Sequence, residues 1–370
     1  MKLESYNVEN LFMRAVAMDG NSIAYAKDAL TWHAEVNFLL AKPHYTEADK
    51  AHIVALLKKL GIDRKDDAGK FAILRQNHGQ LLQRPRSGPV KVVAGGRNDW
   101  IGWVDLKLEE VDETATRNTA RVIKDSAPDV LAVIEAESRP ALIEFSDHVL
   151  PAVGGQPFGH VMLIDGNDPR GIDVGIMTRP GYEIIRMASH VDDVDGQGRI
   201  FSRDCAEYEI RTARGNTLVL LVNHLKSKGF GEAAANDAKR ERQALRIKAI
   251  YQGLIDAGHE YVAVAGDFND APGSKPLVPL LSGTNLKDIT DHPKFIPDGR
   301  PGTYLNGTAS QKIDYILLSP ALFASVKAGG IFRKGVWAGK NGTIFSHYPE
   351  ITKPSEAASD HAAIWAECDI

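Results

Sequence analysis

The side chains best able to do chemistry in this chain stand at the ends of apolar runs. DVLAVIE delivers Glu135 after six mostly apolar residues, where a carboxylate is costly unless it is paired or bound to a metal. A salt bridge, or a partner for the N-terminus of the helix in ESRPALIEF, would also satisfy it. YVAVAGDFND repeats the device, with Asp267 and Asn269 projecting on one side because strand side chains alternate. A carboxylate beside an amide donor suits orienting a water next to a phosphoryl oxygen; an Asx-turn closing the strand is the plainer reading. TLVLLVNHLKS ends on Asn223 and His224, followed by donors at Lys226 and Ser227, although a histidine at a strand end is often structural. SQKIDYILLS sets Asp314 inside an apolar strand, which demands a fixed partner, and an imidazole would serve. SDHAAIWAEC supplies one in His361, beside Asp360. A buried Asp paired with His fixes the ring tautomer and favours proton abstraction. YNVEN offers Asn7 and Glu9 on one strand face. NDPRGIDVGIMTR offers Arg170 and Asp173 around a turn, where the guanidinium could clamp a phosphate or lie on the surface.

Positioning these residues requires a sheet whose strand ends meet. Short apolar strands recur in DVLAVIE, HVMLID, IDVGIMT, TLVLLVNH, YVAVAGDF, KIDYILLS and HAAIWAEC, and several end in a polar residue. Such a rim presents side chains to a shared cleft. Helices are predicted over DETATRNTARVIKDSA and over 232–255. Near the start, residues 1–8 read as a strand, and helical patterning begins at about Ala15. Residues 25–40 and 47–60 carry apolar residues at three- and four-residue spacing, with Thr46 an N-cap and Gly61 a stop. This is a helical insert. The Pro- and Gly-rich QRPRSGPVKVVAGGRNDW reads as a connector, and WIGWVDLKLEEV alternates as a strand.

With 370 residues, the chain exceeds the roughly 250–300 at which single cores stop growing, so one large domain with an elaboration, or two domains, is expected. Its 44% hydrophobic and 25% charged residues exclude a disordered or fibrous chain. Two distant cysteines, Cys205 and Cys368, exclude a disulfide framework and a Cys-x-x-Cys metal site. No signal-like amino terminus and no apolar run of about 18 residues is present, so a cytoplasmic protein without a membrane span is expected. Net charge −4 argues against a protein that merely coats nucleic acid. Between Lys42 and Arg97, however, twelve Lys or Arg face five Asp or Glu.

Taken in order, YNVEN, DVLAVIEAE, RGIDVGIM, VNHLKS, GDFND, IDYILLS and SDH resemble the endonuclease/exonuclease/phosphatase superfamily, the fold shared by deoxyribonuclease I, abasic-site endonucleases and inositol phosphatases. The resemblance covers 1–12 and roughly 98–370. It implies an α+β fold, a four-layer α/β/β/α sandwich of two packed mixed sheets, forming one catalytic domain over 1–370 with a basic helical insertion at about 14–90. It further implies that Glu135 ligates a divalent cation, with Asp360, Asn7 and Glu9 near it, Glu9 matching an acid found in only some members. Asn7 would also lie near the scissile phosphate. Asp267 and Asn269 match the pair that orients the attacking water and contacts the phosphate. His224 matches a histidine that stabilises or protonates the departing side, and His361 matches the catalytic histidine, oriented by Asp314. Arg170 and Asp173 lie where relatives place phosphate contacts and a partner for the first histidine.

The expected reaction is metal-dependent phosphoester hydrolysis with Mg²⁺, or Mn²⁺ in its place, since the ligands are too oxygen-rich for a dedicated zinc site. Either Asp267 or His361 would take the proton of the attacking water. The basic insert favours nucleic acid as substrate. Its few aromatics, Tyr45 and Phe71 after Trp32 and Phe38, speak against stacking single strands. A phosphodiesterase or phosphatase for a small-molecule or lipid phosphoester is the alternative, and a non-catalytic phosphate-binding relative is a third. No obligate protein partner is evident.

Overall fold

In the computed structural model, the structure describes residues 1–11, 25–107, 113–168, 171–229 and 232–370. The chain divides into two compact units. The first comprises Met1–Phe12, Val111–Lys228 and Glu232–Ile370, and the second Met13–Glu110 and Gly229–Gly231.

The first unit contains two six-stranded mixed sheets. One runs in the order Val326–Phe332, Ala363–Cys368, Lys2–Leu11, Val130–Ala136, Asp173–Thr178, His160–Ile164. The other runs Lys287–Asp288, Asp314–Leu318, Tyr261–Asp267, Thr217–His224, Cys205–Arg211, Glu183–Ala188. Leu3, Val130, Ile134 and Ile176 of the first sheet join Tyr208, Leu220, Ala263 and Ile316 of the second in one buried cluster, so the sheets pack face to face. Helices cover both outer faces. Ala120 and Ile123 of the helix Glu113–Ser126 pack with Leu131 and Val133, and Ala244, Ile247 and Tyr251 of Ala233–Asp256 pack with Val219, Val262 and Leu317. This is the four-layer α/β/β/α arrangement. Because both sheets are covered on both faces, central strands such as Thr217–His224 are buried almost throughout and read as continuous apolar runs. Each fully buried Val, Leu or Ile contributes about 1.5–3 kcal/mol.

The second unit has its own core, built on Val36, Leu40, Ile53, Leu56, Leu57 and Trp100. Its helices span Tyr25–Leu40 and Glu47–Lys59; Thr46 and Asp49 form a reciprocal capping box that starts the second. Past Leu60, Gly61 takes a left-handed φ of 74°. Helices are not all it contains: Ala72–His78 pairs antiparallel with Ile101–Leu106. Helical patterning expected from Ala15 falls partly outside the described residues.

Candidate active site

Three candidates stand in one row across the second sheet. Tyr261–Asp267 runs parallel to Thr217–His224 with His224 opposite Asp267, and antiparallel to Asp314–Leu318 with Asp267 opposite Asp314. Gly266 has φ 134°, and a Cβ there would meet the Asn223 carbonyl oxygen at 1.9 Å, so only glycine lets the two strands approach before the acid. His361 reaches this row from the other sheet's side, its Nδ1 lying 2.8 Å from Asp314 Oδ2. Thr303 Oγ1 donates to the same oxygen at 2.5 Å. With Nδ1 given to the carboxylate, Nε2 faces Asp267 Oδ2 at 3.9 Å and Asp360 Oδ1 at 3.7 Å.

The first sheet supplies Asn7, Glu9 and Glu135. Lys2–Leu11 runs parallel to Val130–Ala136 with Asn7 opposite Ile134, and the register shifts beyond Asn7. Glu9 and Glu135 hold left-handed backbones, φ 51° and 66°, as does Asn269 at 54°. Each such non-glycine residue costs on the order of 1–3 kcal/mol and persists only where its surroundings over-determine it. Asn7 ties the two sheets together: its Nδ2 donates to Glu135 Oε1 at 3.2 Å and to Asp267 Oδ2 at 3.3 Å, while its Oδ1 accepts from the Glu9 amide at 3.0 Å. Glu9 Oε2 in turn accepts from the Asp360 amide at 3.0 Å. His224 Nε2 lies 3.6 Å from Glu135 Oε1 and 3.7 Å from Asp267 Oδ2. Asn269 donates its backbone N–H to Asp267 Oδ1 at 2.8 Å and its side-chain amide to Asp267 Oδ2 at 3.2 Å. That is the Asx-type closure of the strand, and it also fixes the carboxylate.

Burial governs the charges. It pushes Glu135 above the usual carboxylate range, and it raises Asp267 to about 8, with the neighbouring Asp314 charge acting in the same direction. For His361 burial opposes the charged form, yet Asp314, then Asp360 and Asp267, hold it well above its ordinary value. Two groups of side chains are close enough to hold a metal ion. One ligand atom each from Glu135, His224 and Asp267 lie within 4.8 Å of one another, and so do one each from Asp267, Asp314 and His361.

Two candidates fare differently. Asp173 accepts from the Gly166 amide at 2.8 Å, and no hydrogen bond or ion pair joins it to the other candidates among the described residues. Burial pushes it to about 7, with Asp165 and Asp168 adding to the rise. The expectation that it partners the first histidine is therefore not met by any hydrogen bond to His224 among those described. Arg170 lies outside the described residues.

Four further residues hold the site and were not singled out from the sequence. Thr303 anchors Asp314, and Ser359 donates to the Asn7 carbonyl at 2.8 Å while accepting from the His361 amide at 3.0 Å. Arg203, buried against Asp168 at 3.1 Å, donates to the Leu225 carbonyl at 3.4 Å and lowers Glu135 by its charge. The Leu225 carbonyl also accepts from Asn269 Nδ2 at 3.2 Å.

The arrangement finds its class in known proteins. Residues 110–361 match the Endonuclease/Exonuclease/phosphatase family. The chain belongs to that family of phosphoester hydrolases. Among solved structures, it is similar to a mannosyl-6-phosphatase of Bacteroides thetaiotaomicron VPI-5482, with 16% identity, 70% of this chain and 92% of the other covered, and a TM-score of 0.52. A second match, an endonuclease/exonuclease/phosphatase family protein of Bacteroides thetaiotaomicron, has 17% identity, 70% and 90% coverage and a TM-score of 0.50. The human Nocturnin catalytic domain with bound sulfate matches at 15% identity, 69% and 86% coverage and a TM-score of 0.49. No curated protein sequence matches. Among the described residues, no helix is long and apolar enough to cross a membrane.

Proposed function

We propose that this protein is a divalent-metal-dependent phosphodiesterase that cleaves nucleic acid by in-line attack of water. One observation carries the reading: Asn7, Glu135, His224, Asp267 and His361, drawn from two sheets, converge on one mouth, and an Asp–His pair stands within it. Mg²⁺ or Mn²⁺ would be held by Glu135 with Asp360, Glu9 and Asn7 beside it, and would supply charge stabilisation to the phosphoryl oxygens. Asn269 and Asp267 orient the attacking water. Its proton goes to the Asp267–His361 pair, whose facing atoms are 3.9 Å apart, and Asp314 holds the imidazole for that exchange. Asn7 and His224 donate to the phosphoryl oxygens and the departing group, each such contact being worth about 2–4 kcal/mol if made only in the transition state. Arg170 would contact the phosphate. In this reading the first compact unit is the catalytic domain and the second is inserted into it after the first strand.

The second unit supports nucleic acid as substrate. Ion pairs absorb Lys42, Lys50, Lys65, Arg75 and Arg84. Lys58, Lys59, Lys70, Arg86 and Lys91 are exposed and pair with no acid among the described residues. Such charges contribute sequence-independent, salt-sensitive affinity for a phosphate backbone. A sugar-phosphate monoesterase is the second reading, favoured by the mannosyl-6-phosphatase among the structural matches.

The test is supercoiled plasmid with Mg²⁺ or Mn²⁺. Nicking is expected, abolished by EDTA and slowed by salt. Reversing Lys58, Lys59, Lys70, Arg86 and Lys91 to Glu should weaken DNA affinity while turnover of bis(p-nitrophenyl) phosphate holds. Intact plasmid, duplex, single strands and RNA beside rapid hydrolysis of sugar phosphates would move the assignment to the second reading.

A further inference from the structure

Tyr304 lies against His361 and has no role in the scheme above. Its backbone is pinned from both sides: Tyr304 N donates to the Gln311 carbonyl at 3.1 Å, Leu305 N to that of Asp360 at 2.8 Å, and Ala362 N to that of Thr303 at 2.8 Å. Tyr304 and His361 thereby form a short antiparallel bridge. The chain reverses immediately afterwards. Leu305 takes a left-handed φ of 45°, and the Gly307 amide returns to the Tyr304 carbonyl at 2.9 Å. A leucine is kept in that conformation only where several contacts insist on it, so the position of Tyr304 is fixed rather than incidental.

The two rings lie 4.8 Å apart between centroids and are tilted by 46°. The side chain is half-buried. The contact with the His361 ring places the phenol beside the converging candidates; burial raises it above its ordinary value, and the charges of Asp360, Glu9, Asp267 and Glu135 act in the same direction. Among the described residues that hydroxyl makes no hydrogen bond. A phenol is neutral and protonated near pH 7. It can therefore give a donor to an anionic substrate on the acid-lined side of the mouth without adding a charge to be balanced.

We propose that Tyr304 is a substrate-contacting residue: its O–H donates to a non-bridging phosphoryl oxygen, while its ring backs the His361 imidazole. This rests on the phosphoester-hydrolase reading above. A donor aimed at an oxygen that gains charge in the transition state acts on turnover more than on binding.

Two measurements on the full chain separate this claim from that reading. The first is turnover of bis(p-nitrophenyl) phosphate with Mn²⁺ by wild type, Tyr304→Phe and Tyr304→Leu. The second is calorimetry of inorganic phosphate binding in the presence of Mg²⁺. Tyr304→Phe should keep the wild-type circular dichroism and pH profile and lose about 10- to 100-fold in kcat/KM, mostly in kcat, with phosphate affinity reduced about threefold or more. Tyr304→Phe within twofold of wild type in both measurements would overturn the contact. So would a loss confined to Tyr304→Leu with a displaced pH profile, since that marks a ring that only props His361. If wild type hydrolyses no phosphoester, the functional reading fails, and calorimetry still decides: weaker phosphate binding by Tyr304→Phe supports the contact, while equal or absent binding in wild type removes it.

Discussion

In the second sheet His224, Asp267 and Asp314 stand side by side because two parallel strands keep register to their last residues and an antiparallel one begins level with them. In the first sheet Asn7, Glu9 and Glu135 reach the same mouth through a register shift and two left-handed backbones. The regular half sets its side chains in a row by sheet register, with Asn269 and Thr303 fixing the carboxylates, and it is the half proposed to handle protons. The irregular half carries strain at the proposed ligands themselves, Glu9 and Glu135, whereas in the other half it falls on Asn269, just past the strand; the irregular half is the one whose acids would hold a cation. Strain at the ligand positions means they are held by their neighbours, chiefly Asn7, Ser359 and the Asp360 amide, rather than by their own strands.

Substitutions can break this contrast. Asp267→Ala should cost the most, about 10³-fold or more in turnover of bis(p-nitrophenyl) phosphate with circular dichroism unchanged, because it removes both the water-orienting carboxylate and the partner of His361. A loss under tenfold would take Asp267 out of the chemistry. Glu135→Gln should cost about 10²-fold, and Mn²⁺ titration should show a weaker half-saturating concentration with activity partly regained at high metal. An unchanged metal response would separate the first sheet from cation binding.

A third test concerns another acid of the first strand. Glu4 is fully buried, its carboxyl accepts from Ser126 Oγ at 3.0 Å, and it is raised to about 8, with burial the dominant cause. Between its ordinary value near 4.5 and about 8, the folded state binds a proton the unfolded chain has released, so stability should fall as pH rises through that window. Glu4→Gln should flatten the decline and gain about 2 kcal/mol at pH 8 in urea unfolding. A variant whose pH dependence matches wild type would show that Glu4 does not carry it.

The smallest effect sharpens the contrast most directly. At the left-handed position 135, Gly should be more stable than Ala by about 1 kcal/mol, whereas at position 267 the order should reverse by about 0.5–1 kcal/mol. Thermal unfolding of the four variants measures it, and the same order at both positions would dissolve the distinction between the two halves.

Much of this was legible in the residues. Glu135, Asp267 and Asp314 announce themselves as acids that an apolar strand buries, and a buried Asp314 asks for the imidazole that His361 provides at 2.8 Å. What escaped notice has no periodicity to betray it. Thr303 and Tyr304 sit in GRPGTYLNG, a Gly- and Pro-rich stretch that reads as a plain turn. Ser359 matters through its hydroxyl's two backbone partners, which spacing does not reveal. The strand Ala72–His78 escaped because its last four residues are all exposed and polar, leaving no apolar alternation to read. Glu9 and Glu135 look like ordinary strand residues, since no composition signal marks a left-handed backbone at a glutamate.

The strand Ala363–Cys368 lies in its sheet between Val326–Phe332 and Lys2–Leu11, and Ser359 just before it joins a residue 352 positions earlier in the chain. Lys2–Leu11 is synthesised long before Ala363–Cys368, and one of its edges stays unpaired until the later strand arrives. Closure over such a sequence distance is slow and comes late. Until that strand docks, His361 has no fixed place beside Asp314 and Lys2–Leu11 keeps one edge unpaired, so the Asp–His pair and the closed sheet form in the same event.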